Sequence, residues 1–540
     1  MKPSHRATVA ASAAMAVVFT TLSAAAAAPT TLLSAHVPVA VASHAAARVR
    51  APDPASRLHL SVSLPLRDEA GLDAFLRDIY DPASPNYRRY LSVADFTARF
   101  GPSAADYRKA ADFFAASGLT VSAEAPNHFL INIDGAVGDI ERVFHVKLGY
   151  YRHPTEARLF LAPDREPSVE LATPLLHVTG LDDFQRATPR VLRQAIARAT
   201  GSGPGGAFIG SDARAAYYGS GSLNGAGQSL GLMELGGYNI ADVKAYFTKF
   251  GPPLTTNVIG ISTDGASLSC TGHCDDGEQV LDIEYAIAMA PGLKQVQVYV
   301  GKNAEDVLNR MASDNTSLQL STSWGWSVKQ LPTDEPLFKE MAAQGQSFLT
   351  ASGDYSSLQA SGPWPEESAN LTGVGGTDLV TKGAGGAWSA ETGWSGSAGG
   401  PSVDQAIKIE SYQLPFINAA NGGSKTLRNV PDIAAIANNL YICAVGKCDG
   451  GWAGTSFASP IWTGFVALAN QQAAAHGKPP VGFLNPTLYA LAGRSSYAST
   501  LHDVVKGKSG KFNCTPSYDL VTGLGSPKGQ ALINILAGGS

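Results

Sequence analysis

The stretch Glu278-Gln279-Val280-Leu281-Asp282-Ile283-Glu284-Tyr285-Ala286-Ile287-Ala288-Met289, followed by Gln295-Val296-Gln297-Val298-Tyr299-Val300, decides the fold. The first run reads as a helix and the second as an apolar strand. The same rhythm repeats on either side. Strands are expected at 229–235, 318–323 and 347–351, and helices near 240–250, 304–313 and 335–344. Strands alternating with helices in this way predict an α/β domain, a parallel sheet covered by helices on both faces. No internal repeat is visible.

Upstream the pattern differs. Leu58-His59-Leu60-Ser61-Val62-Ser63-Leu64 alternates like a half-buried strand. Helical spacing follows at 71–80 and 104–117, where Tyr107, Ala111 and Phe114 share one side. A strand at 129–133 and a short helix at 137–144 complete a smaller α+β domain ending near Phe184. Arg186, Arg190, Arg193 and Arg198 then precede Gly201-Ser202-Gly203-Pro204-Gly205-Gly206. A basic stretch running into Gly and Pro reads as a flexible, cleavable linker or as a plain hinge, and sequence alone does not separate the two. At the start, Lys2, His5 and Arg6 precede an apolar run at 7–22 and small residues at 23–28, the layout of a secretory signal. The expected organisation is a signal at 1–28, a first domain at 29–187, a linker at 188–206 and a second domain at 207–540.

The 540 residues carry 40 Lys+Arg against 45 Asp+Glu, a net charge of -5, which excludes a broadly basic nucleic-acid binder. With 44% hydrophobic and 16% charged residues, the chain can bury a substantial core and is not disordered. No other long apolar run follows the signal, so the mature protein is expected to be soluble, without a membrane. Of five cysteines, Cys270 with Cys274 and Cys443 with Cys448 are close enough for small disulfide loops, leaving Cys514 odd. Cys270, His273 and Cys274 also lie together, but no second Cys/His pair supports a zinc site.

The strongest chemical signal is Gly451-Trp452-Ala453-Gly454-Thr455-Ser456-Phe457-Ala458-Ser459-Pro460 before an apolar helix. Ser456 falls near a helix N-terminus, where backbone N–H groups stabilise developing negative charge. The bland alternative is a Thr455 or Ser456 N-cap. Only His273, His476 and His502 follow the linker, none flanked by Gly at a helix start, which weakens a Ser-His-Asp arrangement. Carboxylates fit better. Glu278 and Asp282 lie i, i+4 on one helix face, and mutual repulsion raises one pKa toward proton exchange with a serine. Read alone, the pair is equally a solvated acidic helix start. Asp354, in Thr350-Ala351-Ser352-Gly353-Asp354, lies past a strand end, where open α/β sheets place functional groups, or is a turn residue.

Taken together, Glu278 and Asp282, Ser323-Trp324-Gly325, Ala351-Ser352-Gly353-Asp354 and Gly454-Thr455-Ser456 with Pro460 resemble the sedolisin family, the serine-carboxyl peptidases. Ser84-Pro85-Asn86-Tyr87 through Leu91, then Phe96 and Phe100-Gly101-Pro102, are similar to the family's prodomain, so the resemblance spans nearly the whole chain. It implies a subtilisin-like fold in the second domain and an activation prodomain in the first. It implies Ser456 as nucleophile, Glu278 as general base and then acid, Asp282 as its hydrogen-bond partner, and Asp354 at the oxyanion. Glu234 and Trp324 match residues that extend the carboxylate network in kumamolisin-like members. It further implies one Ca2+ held by the carboxylates of Asp503 and Asp519 and the carbonyls of Val504, Thr515 and Ser517. Here the loop is short, Cys514 lies inside it, and Thr515 and Ser517 stand where glycines are common.

The resulting expectation is a secreted (extracellular or periplasmic) monomeric zymogen. It is inhibited by its own prodomain, cuts itself at acidic pH and hydrolyses protein and peptide substrates as an endopeptidase. Three alternatives stand beside it: a Ser-His-Asp peptidase using His273, a non-catalytic secreted binding protein, and a tripeptidyl-type exopeptidase. Phe457 either fills a substrate subsite or packs in the core.

Overall fold

The structure, a computed structural model, describes residues 1, 30–31, 36–122, 124–194, 199–271, 274–358, 362 and 364–539. The signal expected at 1–28 lies outside the described residues apart from Met1, as do Arg198 and His273.

The second domain holds an eight-stranded sheet. Its strands are β1 (Ser229–Glu234), β2 (Asn257–Ser262), β3 (Gln295–Val300), β4 (Gln319–Thr322), β5 (Ser347–Ala351), β6 (Thr372–Thr381), β7 (Trp388–Gly393) and β8 (Ile433–Ile436). They lie in the order β2-β3-β1-β4-β5-β6-β7, with β8 also on β6, and every pairing is parallel except β6 with β7. Leu230 opposite Val296 and Leu232 opposite Val298 put continuous apolar residues across the centre, as a sheet covered on both faces requires. The covering helices are α1 (Gly210–Tyr217), α2 (Ile240–Phe250), α3 (Gly277–Met289), α4 (Ala304–Asp314), α5 (Asp334–Ala343) and α6 (Thr455–Ala475). The expected α/β architecture is present. Helix α1, edge strand β2, strands β6, β7 and β8 and the hairpin of β9 (Leu440–Ala444) and β10 (Lys447–Ala453) were not foreseen from the sequence.

Helix α6 crosses the middle of the domain, and Thr455 to Asn470 is buried without interruption. It carries Pro460 internally, which has no N–H to donate to the Ser456 carbonyl four residues back. The Ser323 hydroxyl donates to that carbonyl instead, at 3.2 Å.

The N-terminal domain is smaller and antiparallel. Arg57–Ser63 is flanked by Leu130–Ala136 and His177–Thr179, with Leu60 opposite Ile133 and Val62 opposite Ile131. Phe114, Ile140 and Phe144 close its separate core. A helix unforeseen from the sequence, Val93–Arg99, starts at Ser92, whose hydroxyl accepts the Asp95 N–H at 3.1 Å. This domain docks on α4 and α5. Ser61 Oγ donates to Asp306 at 2.8 Å, His59 Nε2 lies 3.1 Å from the other Asp306 oxygen, and Asn127 donates to Glu340 at 3.0 Å.

Candidate active site

The functional residues gather beyond the C-terminal ends of the parallel strands, where an open α/β sheet presents its loops. β1 ends at Glu234, β4 leads into Ser323-Trp324, β5 leads to Asp354, and α6 begins with Thr455-Ser456. α3 brings Glu278 and Asp282 to the same place. Both are buried, at 3% and 0% exposure, which removes the alternative of a solvated acidic face. The approach of these elements needs glycine at 454. Its φ is +150°, and a Cβ there would overlap the Arg190 carbonyl and lie 2.7 Å from Asp354 Oδ2.

The hydrogen bonds define two groups. Asp354 Oδ1 accepts from the Thr455 N–H at 2.7 Å and from the Thr455 hydroxyl at 2.8 Å, while Oδ2 is buried without a partner. Thr455 is therefore more than a helix cap, because it fixes Asp354 beside Ser456. On the other side, Ser323 Oγ donates to Asp282 at 2.7 Å and Trp324 Nε1 donates to Glu234 at 2.9 Å. Asp282 Oδ2, Glu234 Oε1 and both Glu278 oxygens are buried without a hydrogen-bond partner among the described residues, so Asp282 meets Glu234 and Glu278 through charge. The expected Asp282–Glu278 hydrogen bond is thus replaced by a wider carboxyl cluster.

Four buried acids share this space, and burial penalises their charged forms. Burial pushes Glu234 up to about 8 and Asp354 up to about 7. Glu278 is raised well above the ordinary range by burial, and the charges of Glu234 and Asp354 add to it. Asp282 is raised well above its range by burial and then by Glu234 and Glu278. The cluster holds protons that an exposed carboxylate loses, so it can take a proton from a serine and return it.

The segment joining the two domains lies across this site. Thr188 and Pro189 pair antiparallel with Gly325 and Trp324, and Leu192 and Arg193 pair antiparallel with Ala453 and Trp452 of β10. Between these pairings the Arg190 N–H donates to Ser323 O at 3.1 Å, and the Ser456 hydroxyl donates to the Arg190 carbonyl. Ser456 is fully covered. The Arg190 side chain turns inward and lies 2.7 Å from Glu366. Nothing local in the sequence joined Arg190 to Glu366, which are 176 residues apart.

Other expectations resolve as follows. Cys270–Cys274 and Cys443–Cys448 are disulfides, and Cys514 is free and buried. Phe457 packs edge-on against Tyr285 at 4.8 Å between centroids and is a core residue. His476 ends α6, about 30 Å along the helix from Ser456, and His502 stacks on Trp388 at 4.0 Å. Asp503 and Asp519 flank one loop. Asp503 accepts the Ser517 N–H at 3.0 Å, and Asp519 accepts those of Val521 and Thr522 at 2.8 Å and of Thr515 at 3.3 Å. Neither carboxylate has an ion-pair partner among the described residues. Two unpaired carboxylates beside an all-oxygen loop suit a hard cation. The Ser517 carbonyl, however, accepts from Tyr497 at 2.9 Å.

Residues 44–184 match the family model described as Pro-kumamolisin, activation domain. The chain is 31% identical over 520 residues to kumamolisin of Bacillus sp. strain MN-32, covering 88% of this chain and 91% of that protein. It is 25% identical over 547 residues to tripeptidyl-peptidase 1 of Rattus norvegicus, covering 90% of this chain and 92% of that one. Among solved structures it is similar to Pseudomonas sedolisin, a serine-carboxyl proteinase complexed with two molecules of pseudo-iodotyrostatin. The identity is 25% and the TM-score 0.53, with 63% of this chain and 98% of that chain covered.

Proposed function

The chain belongs to the sedolisin family of serine-carboxyl peptidases, and from that premise we propose a secreted, self-processing endopeptidase that works at acidic pH. Its catalytic part has the subtilisin-like fold, and an activation domain precedes it. One observation carries the finer reading. An extended segment lies antiparallel on both sides of Ser456, with a carbonyl on the serine hydroxyl, as a substrate lies. Polypeptide continues past the site in both directions, as cleavage within the chain itself requires.

Ser456 Oγ attacks the carbonyl carbon and its proton passes to Glu278. The oxygen becomes negative beside Asp354, whose protonated Oδ2 donates to it. Collapse breaks the C–N bond, and Glu278 returns the proton to the leaving amine. Water then hydrolyses the acyl ester, with Glu278 again as base. Asp282, Glu234, Ser323 and Trp324 surround Glu278, and burial raises its proton affinity, so its ionised form is a stronger base toward the Ser456 hydroxyl than an exposed Glu.

The direction of the pH dependence follows from Asp354. With the linker in the cleft, burial pushes Asp354 up to about 7, and a substrate in the same place buries it likewise, so the donor is lost as pH rises through the neutral range. The test is the pH profile of processed enzyme on a quenched peptide, with product lengths read by mass and Ser456→Ala as blank. Activity that falls above about pH 7, with internal cuts, supports the reading. A plateau into alkaline pH contradicts the carboxyl mechanism, and tripeptide products contradict the endopeptidase assignment.

Calcium at Asp503 and Asp519 is the accompanying structural proposal. Bound at a hundredfold excess over Kd, it contributes about 2.7 kcal/mol of stability. Chelation should lower the Tm of the wild type, and Asp519→Asn should remove the response to added calcium.

A further inference from the structure

Arg190 is the one linker arginine whose side chain is wholly enclosed among the described residues, at 2% exposure. Its guanidinium meets three acceptors. Nη1 donates to the Ala351 carbonyl, and Nη2 donates to the Gly362 carbonyl at 2.6 Å and to Glu366 Oε2 at 2.7 Å. Glu366 is itself fully buried, and its second oxygen has no partner. The wall opposite is Gly325, where a Cβ would overlap Arg190 Nη2 and lie 2.8 Å from the Gly362 carbonyl. Burial pushes Glu366 up to about 8 even with Arg190 opposing it. A bare glycine, one carboxyl oxygen and two inward carbonyls therefore form a slot with the size and hydrogen-bond pattern of a planar guanidinium.

The backbone at the same residue lies against the nucleophile. Arg190 N–H is held by Ser323 O, its carbonyl receives the Ser456 hydroxyl, and the flanking residues are paired on both sides. A buried ion pair adds little net stability in general, so folding of the linker gives weak reason for this one. Recognition gives a stronger reason. Once Arg190 leaves, Glu366 faces the cleft, and a substrate arginine restores all three contacts. A neutral side chain leaves the acid and both carbonyls unpaired, the situation in which a polar pocket discriminates strongly.

We propose that Glu366, with the carbonyls of Ala351 and Gly362, forms a pocket for arginine on the acyl side of the scissile bond, and that Arg190–Val191 is the first bond the enzyme cuts in its own chain. The proposal rests on the peptidase reading above and adds its substrate class. In the self-cut, Ser456 Oγ bonds to the Arg190 carbonyl carbon and its proton goes to Glu278. The C–N bond breaks, the Val191 nitrogen takes that proton, and water releases a prodomain ending in the Arg190 carboxylate. Lysine, a single point charge, reaches fewer of the acceptors than the fork does and is the weaker occupant.

Two measurements on the full chain and its processed form test this. The first is intact mass of fragments at early times in acid, for wild type, Arg190→Lys and Arg190→Leu precursors. The first prodomain fragment should end at Arg190, and Arg190→Leu should slow that cut by roughly tenfold or more, with Arg190→Lys between. The second is kcat/KM on matched peptides bearing Arg, Lys or Leu before the cut, at one pH, for wild type and Glu366→Gln. Wild type should prefer Arg to Leu by roughly tenfold or more, and Glu366→Gln should reduce the ratio to within about threefold. A first cut elsewhere, equal rates on Arg and Leu peptides, or an Arg preference that survives Glu366→Gln overturns the pocket and leaves the peptidase standing. No cleavage of any peptide overturns both. If Glu366→Gln fails to fold, the wild-type peptide panel and the Arg190 precursors still decide.

Discussion

At the scale of single residues, the account turns on acids that keep protons they would lose in water. Asp354 is held by Thr455 through Oδ1 and leaves Oδ2 free toward the reacting carbonyl. Asp354→Ala should therefore lower kcat by about 10²–10³-fold with a smaller change in KM, the usual cost of one oxyanion donor, as steady-state kinetics will measure. How much of this was legible depended on distance along the chain. Glu278 and Asp282 stand out because i, i+4 spacing puts them on one face, yet their burial does not follow from that spacing. The covering Ser323, Trp324 and linker come from segments more than 40 residues away. Ser456 was legible through its glycines and helix start. Arg190 and Glu366 were not, because a pocket made of one side chain, two carbonyls and a missing Cβ leaves no local pattern.

At the scale of elements, α6 and its entry turn do most of the positioning. Gly454 allows the turn to press against Arg190 and Asp354 at a φ of +150°. Gly454→Ala should destabilise the precursor by more than about 1 kcal/mol and block self-cutting, seen as a lower Tm and an uncut mass. The single Ser323 hydroxyl proton is shared between Asp282 at 2.7 Å and, more weakly, the Ser456 carbonyl at 3.2 Å that Pro460 leaves free. Ser323→Ala should cost about 1–3 kcal/mol, read by thermal unfolding, because both acceptors stay buried. The central strands and their helices were readable from apolar runs. The β9–β10 hairpin was not. Its turn at Val445 and Gly446 takes φ of +53° and +73°, and valine is not the Asn or Asp that normally announces such a turn. The Cys443–Cys448 pairing, which was readable, clamps the same hairpin.

At the scale of the whole molecule, the precursor carries its own chain in the cleft and a prodomain docked on helices α4 and α5. Burial pushes Glu340 at this docking face up to about 7, and Asp306 pushes His59 up to about 9. Carboxyls titrate near 4 in the unfolded chain, so the Glu340 contribution is full below about 4 and is lost as pH rises through about 7. The His59 contribution is full below about 6.5 and is lost through about 9. Both signs agree. The Ser456→Ala precursor, which cannot cut itself, should show a Tm that declines from about pH 4 to about pH 9. Ser456 and Glu278 together break peptide bonds in this reading, and the intact mass of the precursor reports it. Purified wild-type, Ser456→Ala and Glu278→Gln precursors would be held at about pH 4 and sampled over time. The account predicts that wild type alone separates into prodomain and enzyme. Separation of Ser456→Ala, or of Glu278→Gln at the wild-type rate, would contradict it.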